Sequence, residues 1–243
     1  MTKDATYLSS DYVIENYGDA SFLDKPVPKN GEFRSCQSMI PFEYIGVTAK
    51  DFDWRAYGAD DPIAHEGKTL ANAFVINFPK WRQRGKGLYI YSVTKRTGKT
   101  FLSFCLANEV MGRNDANLKY VNIIDYFDLT KRTYSSADDR EERDKIMKAA
   151  VLILDDIGVD VSREWMNTKL YQMLNYRSLH KLVTIITSNY KVEQLKVDDR
   201  VKSRINDMCI PLHIPEIPIG EIKSDKENAE FVSAVMKTNS ETH

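Results

Sequence analysis

Cysteine is scarce in this 243-residue chain, which contains only Cys36, Cys105 and Cys209. Because the three form no CxxC pair, the sequence argues against a disulfide scaffold and a zinc ribbon. Long apolar runs are missing too, so we expect neither a membrane span nor a secretory signal. Charge of one sign is not in excess, since 34 Lys and Arg residues face 35 Asp and Glu residues. These absences favour a cytoplasmic protein that does not coat nucleic acid by bulk charge.

The two ends of the chain differ in composition from its middle. Residues 1–37 mix Asp, Lys, Gly, Pro and Tyr without a sustained period, which predicts an N-terminal extension. Residues 216–243 are polar, which predicts a mobile C-terminal tail or at most a short helix around residues 227–236. Residues 38–215 hold the apolar runs, so we place a single folded core there.

Five short apolar runs alternate with amphipathic segments in the core. The runs are Leu88–Tyr91, Tyr120–Ile124, Val151–Leu154, Leu182–Ile186 and Met208–Ile214. Their β-branched and apolar residues on successive positions are typical of strands that are buried on both faces of a parallel sheet. The segments between them have helical spacing. The pattern predicts an α/β fold, a three-layer αβα sandwich around a parallel five-stranded sheet with short extensions at both ends.

A phosphate-binding loop follows the first predicted strand. Residues 93–100 read Val-Thr-Lys-Arg-Thr-Gly-Lys-Thr and lead directly into a helix. Such a loop needs backbone N–H groups around the phosphates, a lysine that reaches the β and γ oxygens, and a hydroxyl for magnesium. Gly98, Lys99 and Thr100 supply these in the right order. We therefore expect Thr97 through Phe101 to bind the nucleotide.

Two residues of this loop depart from the standard pattern. Val93 stands where standard loops carry glycine, and Arg96 stands where related loops often carry another. A β-branched residue at a positive φ would be strained, so either the loop relaxes at Val93 or nucleotide binds more weakly than usual. The Arg96 side chain either points outward or adds a cation near the phosphates.

Polar residues end two of the later strands. Asp155 and Asp156 follow a run of four apolar residues, as in a Walker B motif, and Asn189 follows the fourth strand. Asp155 is the candidate to hold Mg²⁺ with Thr100, Asp156 to polarise the attacking water and Asn189 to position it. Read singly, the Asp pair could cap a turn, and the residues around Asn189 could be turn chemistry.

An arginine pair lies beyond the fourth strand. Arg200 and Arg204 are four residues apart, so on a helix they share one face. Presented to the γ-phosphate of a neighbouring subunit, such an arginine stabilises transition-state charge. The alternative is a pair of surface salt bridges with Asp198, Asp199 or Asp207.

Taken together, these motifs resemble those of AAA+ ATPases of the DnaC/DnaI/IstB type. Further similarity lies in Met39–Tyr44, Leu154–Gly158, Asn175–Arg177 and Ile186–Asn189, and the resemblance covers roughly residues 38–215. It implies an AAA+ P-loop NTPase core that uses ATP and Mg²⁺. It also implies a helicase loader, which binds a hexameric replicative helicase and places it on single-stranded DNA, and self-association in a ring or spiral that depends on nucleotide.

The resemblance also assigns residues. Lys99 and Thr100 match Walker A, Asp155 and Asp156 match Walker B, Asn189 matches the sensor, and Arg204, better than Arg200, matches the arginine finger. It places the DNA contact after the second strand, where Lys131 and Arg132 can meet phosphates and Tyr134 can stack on a base. A solvated amphipathic helix explains these three residues equally well. Residues 1–37 are the candidate helicase-docking segment.

Two other functions stay open at this point. A transposition helper ATPase of the IstB type shares the same core, so the partner protein decides between it and a helicase loader. The third possibility is a degenerate nucleotide-binding scaffold with little turnover, which the departures from the standard loop at Val93 and Arg96 would favour. The otherwise complete set of catalytic residues favours an active ATPase.

Overall fold

The computed structural model describes residues 40–41, 44–114, 116–134, 136–158 and 163–240. The predicted extension of residues 1–37 lies outside them. The strands are β1 (Gly87–Tyr91), β2 (Leu118–Asn122), β3 (Val151–Ile157), β4 (Val183–Ser188) and β5 (Cys209–His213). The helices are α1 (Pro62–Ile76), α2 (Phe78–Arg84), α3 (Lys99–Arg113), α4 (Ile123–Arg132), α5 (Ala137–Lys148), α6 (Glu164–Leu179), α7 (Asp199–Met208) and α8 (Ile219–Ser240).

The five strands form one sheet in the order β2-β3-β4-β1-β5, and every neighbouring pair is parallel. The predicted α/β fold with a parallel five-stranded sheet is therefore confirmed. Because all strands run the same way, their carboxyl ends meet at one edge. The loops after β1, β3 and β4 leave the sheet at this edge, and they carry most of the candidate site residues.

Alternate residues along the strands pack into two separate cores. Leu88 and Ile90 of β1 belong to one core, which also holds α1, α2 and α3 and the chain before α1, whereas Tyr89 belongs to the other. Leu152 and Leu154 of β3 join Tyr89 in this second core, together with residues of α4, α6 and α7. Each face of the sheet is thus covered by helices, which makes the three layers and explains why the strands read as continuous apolar runs.

β3 and β4 extend past their predicted ends, to Ile157 and Ser188, and two further elements differ from the prediction. The helical pattern over residues 60–81 is divided at Asn77 into α1 and α2, because Pro79 fits only in the first turn of a new helix. The second strand ends at Asn122 rather than at Ile124. The Asn122 side chain accepts the N–H of Ile124 at 3.0 Å and so begins α4.

The C-terminal region also differs from expectation. The sequence predicted at most a short helix around residues 227–236, whereas α8 spans Ile219–Ser240. The last proline, Pro218, directly precedes this helix, and its carbonyl oxygen accepts the N–H groups of Glu221 and Ile222. A proline at that place does not interrupt a helix. The boundaries proposed for the core and the extensions stay predictions.

Candidate nucleotide-binding site

The phosphate loop connects the end of β1 to the start of α3. Its backbone is left-handed at Gly98 (φ 92°) and at Arg96 (φ 58°), but not at Val93, whose side chain is 53% exposed. The conformation that favours glycine therefore falls on Arg96 rather than on Val93. The Arg96 guanidinium donates through Nη2 to the carbonyl of Gly220 at 3.1 Å, so it points toward the start of α8.

Lys99 is the first residue of α3 and is largely buried. Its ammonium donates to the carbonyl of Thr94 at 2.8 Å and lies 3.2 Å from Thr97 Oγ1. Burial lowers the pKa of Lys99 to about 8, and the charges of Glu216, Asp156 and Asp155 act in the opposite direction. The cation thus lies across its own loop, where it can meet phosphate oxygens.

Asp155 lies near the carboxyl end of β3, is buried, and accepts hydrogen bonds from three hydroxyl groups. Its Oδ1 accepts from Thr100 at 2.9 Å and from Thr187 at 2.6 Å, and its Oδ2 accepts from Tyr120 at 3.2 Å. The structure therefore brings together Thr100 and Asp155, the two residues proposed to hold Mg²⁺. One hydroxyl and one carboxylate suit Mg²⁺, a hard cation that commonly uses few protein ligands and completes its shell with water and phosphate.

Asp156 has a left-handed backbone, with φ 59°. The register between β3 and β4 shifts between Leu154 and Ile157, and the N–H of Asp156 donates to Thr187 Oγ1 at 2.9 Å. Burial and the charge of Asp155 raise the pKa of Asp156, whereas Lys99 and Lys95 act to lower it. Asn189 donates to Asp156 Oδ1 at 3.0 Å. The two predicted water-handling residues are thus in direct contact.

Thr97, Gly98 and Phe101 lie under an aromatic cover that comes from the chain before α1. The Tyr57 hydroxyl donates to the carbonyl of Thr97, and Phe52 packs on Phe101 with ring centroids 6.1 Å apart. A Cβ atom on Gly98 would lie 3.2 Å from both aromatic side chains, so only glycine fits there without displacing them. Residues outside the loop thus restrain the backbone around Thr97 and Gly98.

The structure places the two candidate finger arginines on α7. Arg200 pairs with Asp198 at 2.8 Å, and Arg204 pairs with Asp207 at 3.3 Å. These are the salt bridges that the sequence offered as the alternative. Within one chain, Arg204 is paired on its own helix.

The three candidate DNA contacts lie at and just beyond the end of α4. Lys131 pairs with Asp128 at 2.8 Å and lies 5.4 Å from the Trp165 ring, and Arg132 lies 3.4 Å from Asp139. Tyr134 is 80% exposed. The phenol is thus open to stacking, whereas both cations have acidic neighbours that phosphates would have to replace.

Four residues in contact with the site were missed in the sequence: Tyr57, Tyr120, Thr187 and Glu216. Thr187 precedes Asn189 by two positions in a motif that was recognised, so its location at a strand end was a usable signal. Glu216 and Tyr57 reach the loop from distant parts of the chain. No local pattern marks such contacts.

The part of the chain that carries most of the site residues is similar to known proteins. Residues 86–203 match the model of the IstB-like ATP binding protein family. The core is thus similar, in sequence and in fold, to proteins of the DnaC/DnaI/IstB type. The chain is 32% identical over 118 residues to the replicative helicase loader DnaI of Bacillus subtilis (strain 168). That alignment covers 46% of this chain and only 36% of the relative, so the chain spans little more than a third of it.

Comparison with solved structures shows a similar fold. A crystal structure of DnaI superposes with a TM-score of 0.63 at 27% identity, covering 73% of this chain and 95% of that one. The DnaC helicase loader superposes with a TM-score of 0.60 at 21% identity, covering 72% of this chain and all of that one, and this likeness shows the fold alone. In the described part of this chain, no helix has the length and apolar character to cross a membrane.

Proposed function

We propose that this protein binds and hydrolyses ATP and loads a replicative DNA helicase onto single-stranded DNA. One observation carries the ATPase proposal: the phosphate-loop cation, the paired hydroxyl and carboxylate, and the water-handling pair lie at one edge of the sheet. The residues are Lys99, Thr100, Asp155, Asp156 and Asn189. This donor set combines phosphate binding with proton handling, which a nucleotide scaffold does not need.

In this proposal each residue acts through the atom that the geometry presents. Lys99 turns from the Thr94 carbonyl to the β and γ oxygens, while the N–H groups of residues 97–101 surround the β-phosphate. Thr100 and Asp155 would hold Mg²⁺, and the ion would supply positive charge against the phosphates. Asp156 accepts a hydrogen bond from the attacking water, and Asn189 keeps that carboxylate in place.

The helicase and DNA partners rest on the relatives. DnaI and DnaC are described as helicase loaders, and this chain shares their core. We place the helicase contact in residues 1–37 and the DNA contact at Lys131, Arg132 and Tyr134, in a cytoplasmic protein. A nucleotide-dependent ring or spiral would bring Arg204 of one subunit to the γ-phosphate of the next.

The substitution Lys99→Ala tests the nucleotide site. We expect it to abolish binding of Mg-ATP in isothermal titration calorimetry, because it removes the charge that meets the β and γ oxygens. Lys80→Ala, which removes an exposed lysine on α2, is the control and should bind like the wild type. Unchanged affinity in Lys99→Ala would contradict the assigned loop.

A second experiment tests the partner. The full chain is immobilised with ADP or with a non-hydrolysable ATP analogue and exposed to purified replicative helicase and to single-stranded DNA. Capture of both only with the ATP analogue supports a loader. Absence of helicase binding in both states would contradict it.

A transposition helper ATPase is the second candidate, because the matching family model is that of IstB-like proteins. The same immobilised chain, exposed to a transposase of an IstB-dependent element, distinguishes the two. A scaffold with little turnover, the third candidate, predicts nucleotide binding without phosphate release in any assembly state.

A further inference from the structure

The segment between β5 and α8 lies against the phosphate loop. Glu216, in this segment, accepts the N–H of Val93 at 3.0 Å through Oε1 and the N–H of Thr94 at 2.6 Å through Oε2. Its Oε2 also accepts the Ser92 hydroxyl at 2.7 Å, and His213 Nε2 lies 3.0 Å from Oε1. Both carboxylate oxygens are thus engaged at the start of the loop.

The surroundings of Glu216 favour its charged form. Burial acts to raise the pKa of this carboxyl, but hydrogen bonds from His213, Ser92 and Thr94 outweigh burial and lower the pKa to about 2. The side chain is only 35% exposed. The carboxylate is therefore a fixed acceptor of hydrogen bonds rather than a solvated surface charge.

Gly220, the second residue of α8, contacts the middle of the loop. Its N–H donates to the carbonyl of Arg96 at 2.9 Å, and its own carbonyl accepts from Arg96 Nη2 at 3.1 Å. A Cβ atom on Gly220 would lie 3.1 Å from the Arg96 carbonyl oxygen. The backbone contact is thus close enough to favour glycine at this position.

We propose that residues 216–220 are a positioning element that holds the phosphate loop in its nucleotide-binding shape. The element contacts the loop at Val93, where standard loops have glycine, and at Arg96, where related loops often have another. The element also accepts the N–H of Thr94, and the carbonyl of Thr94 accepts a hydrogen bond from the Lys99 ammonium. Glu216 therefore acts on the nucleotide through Thr94 and Lys99 without touching the phosphates itself. This inference rests on the proposed nucleotide site.

The substitution Glu216→Gln tests the element with little change in shape. An amide has one accepting oxygen, so one of the two N–H groups now held by the carboxylate would face an NH₂ group. We expect affinity for Mg-ADP and Mg-ATP to fall by about tenfold, as for loss of a hydrogen bond to a charged group. Calorimetry is done at a temperature at which every variant is fully folded. Amide exchange at Val93 and Thr94, followed by NMR without nucleotide, should accelerate.

Glu142→Gln is the matched control. Glu142 is exposed to a similar degree, 30%, and pairs with Lys119 at 2.8 Å, away from the loop. We expect it to leave both nucleotide affinities unchanged even if it destabilises the protein. A merely structural role of Glu216 would lower the unfolding midpoint and leave the affinities of the folded protein unchanged, and this result would overturn the proposal.

Gly220→Ala provides an independent variant. The higher helix propensity of alanine offsets the cost of its Cβ against the Arg96 carbonyl, so the unfolding midpoint should change little while the loop is displaced. We expect weaker nucleotide binding without loss of stability. If the wild type binds no nucleotide, the proposed function itself fails. If the wild type binds and both variants match it, only the positioning role fails.

Discussion

At the scale of single residues, Thr187 connects the two Walker B aspartates through one oxygen atom. Its hydroxyl donates to Asp155 Oδ1 and accepts the N–H of Asp156. The same group thus orients the proposed metal carboxylate and supports the left-handed backbone of the next residue. Buried donors and acceptors of this kind are costly to leave without a partner.

We expect Thr187→Val to slow ATP hydrolysis by about tenfold, because it removes a hydrogen bond to a charged group without changing side-chain volume much. Affinity for Mg-ATP should change little, since Lys99 is not touched. Steady-state phosphate release and calorimetry measure the two effects. Thr130→Val, which removes a buried hydroxyl bonded to the Tyr126 carbonyl, is the control and should keep the wild-type rate. Equal rates in both variants would contradict the role of Thr187.

The left-handed backbone of Arg96 costs conformational free energy, and the loop has this conformation in the absence of nucleotide. A non-glycine residue in the left-handed region costs about 1 kcal/mol or more. We expect Arg96→Gly to have a higher free energy of unfolding than Arg96→Ala by about 1 kcal/mol, since both lose the guanidinium and only alanine keeps the strain. Urea unfolding measures this difference. Equal stability of the two variants would show that the loop relaxes at this position.

The site residues that could be predicted are those at strand ends or in the phosphate loop. Asp155 comes directly after one apolar run and Asn189 shortly after another, Lys99 closes the loop that follows the first run, and a parallel sheet brings such positions to one edge. Glu216 gave no such signal, because its meaning depends on a contact with Thr94, 122 residues away. The conformation of Arg96 was only partly predictable. An arginine at a position where related loops often carry glycine indicated an unusual loop, but the positive φ of Arg96 could not be inferred from the sequence.

At the scale of elements, a buried arginine fastens α5 to the sheet. Arg177 of α6 is fully buried and donates to the Thr184 hydroxyl and to four backbone carbonyls. These carbonyls belong to Ile146, Met147, Ala149 and Val183. Three of them are at or just past the end of α5, where the helix leaves carbonyls without partners and its dipole favours a cation. In the sequence, Arg177 stood out only as part of the family resemblance, because a single charged residue is normally expected at the surface.

We expect Arg177→Met to lower the free energy of unfolding by about 3 kcal/mol or more, because it leaves several buried carbonyls unsatisfied. Urea unfolding followed by circular dichroism measures the loss. Arg143→Met, which removes a partly exposed arginine paired with Asp144, should change stability by no more than about 0.5 kcal/mol. A similar small loss in Arg177→Met would show that water replaces the guanidinium.

At the scale of the whole molecule, the proposed catalytic set of one chain is incomplete. The phosphate loop and the Walker B residues gather at one edge of the sheet, whereas Arg204 on α7 pairs with Asp207 of the same helix. A cation that is to meet the γ-phosphate must leave this exposed pair, and such pairs are weak. In the proposed ring or spiral, a neighbouring subunit would supply the arginine that a single chain does not, so we expect ATP hydrolysis to depend on protein concentration.

Mixing two inactive variants tests this dependence. Arg204→Ala keeps the phosphate loop but lacks the proposed arginine finger, whereas Lys99→Ala keeps the finger but lacks the loop lysine. Each variant alone should therefore hydrolyse ATP about a thousandfold more slowly than the assembled wild type. Mixed in equal amounts, they should regain part of the activity, because some interfaces join an intact loop to an intact Arg204. A Lys99→Ala/Arg204→Ala double variant, mixed with Arg204→Ala, should restore nothing. If Arg204→Ala slows hydrolysis equally at dilutions that leave only monomers, Arg204 acts within its own chain and the assembly argument is wrong.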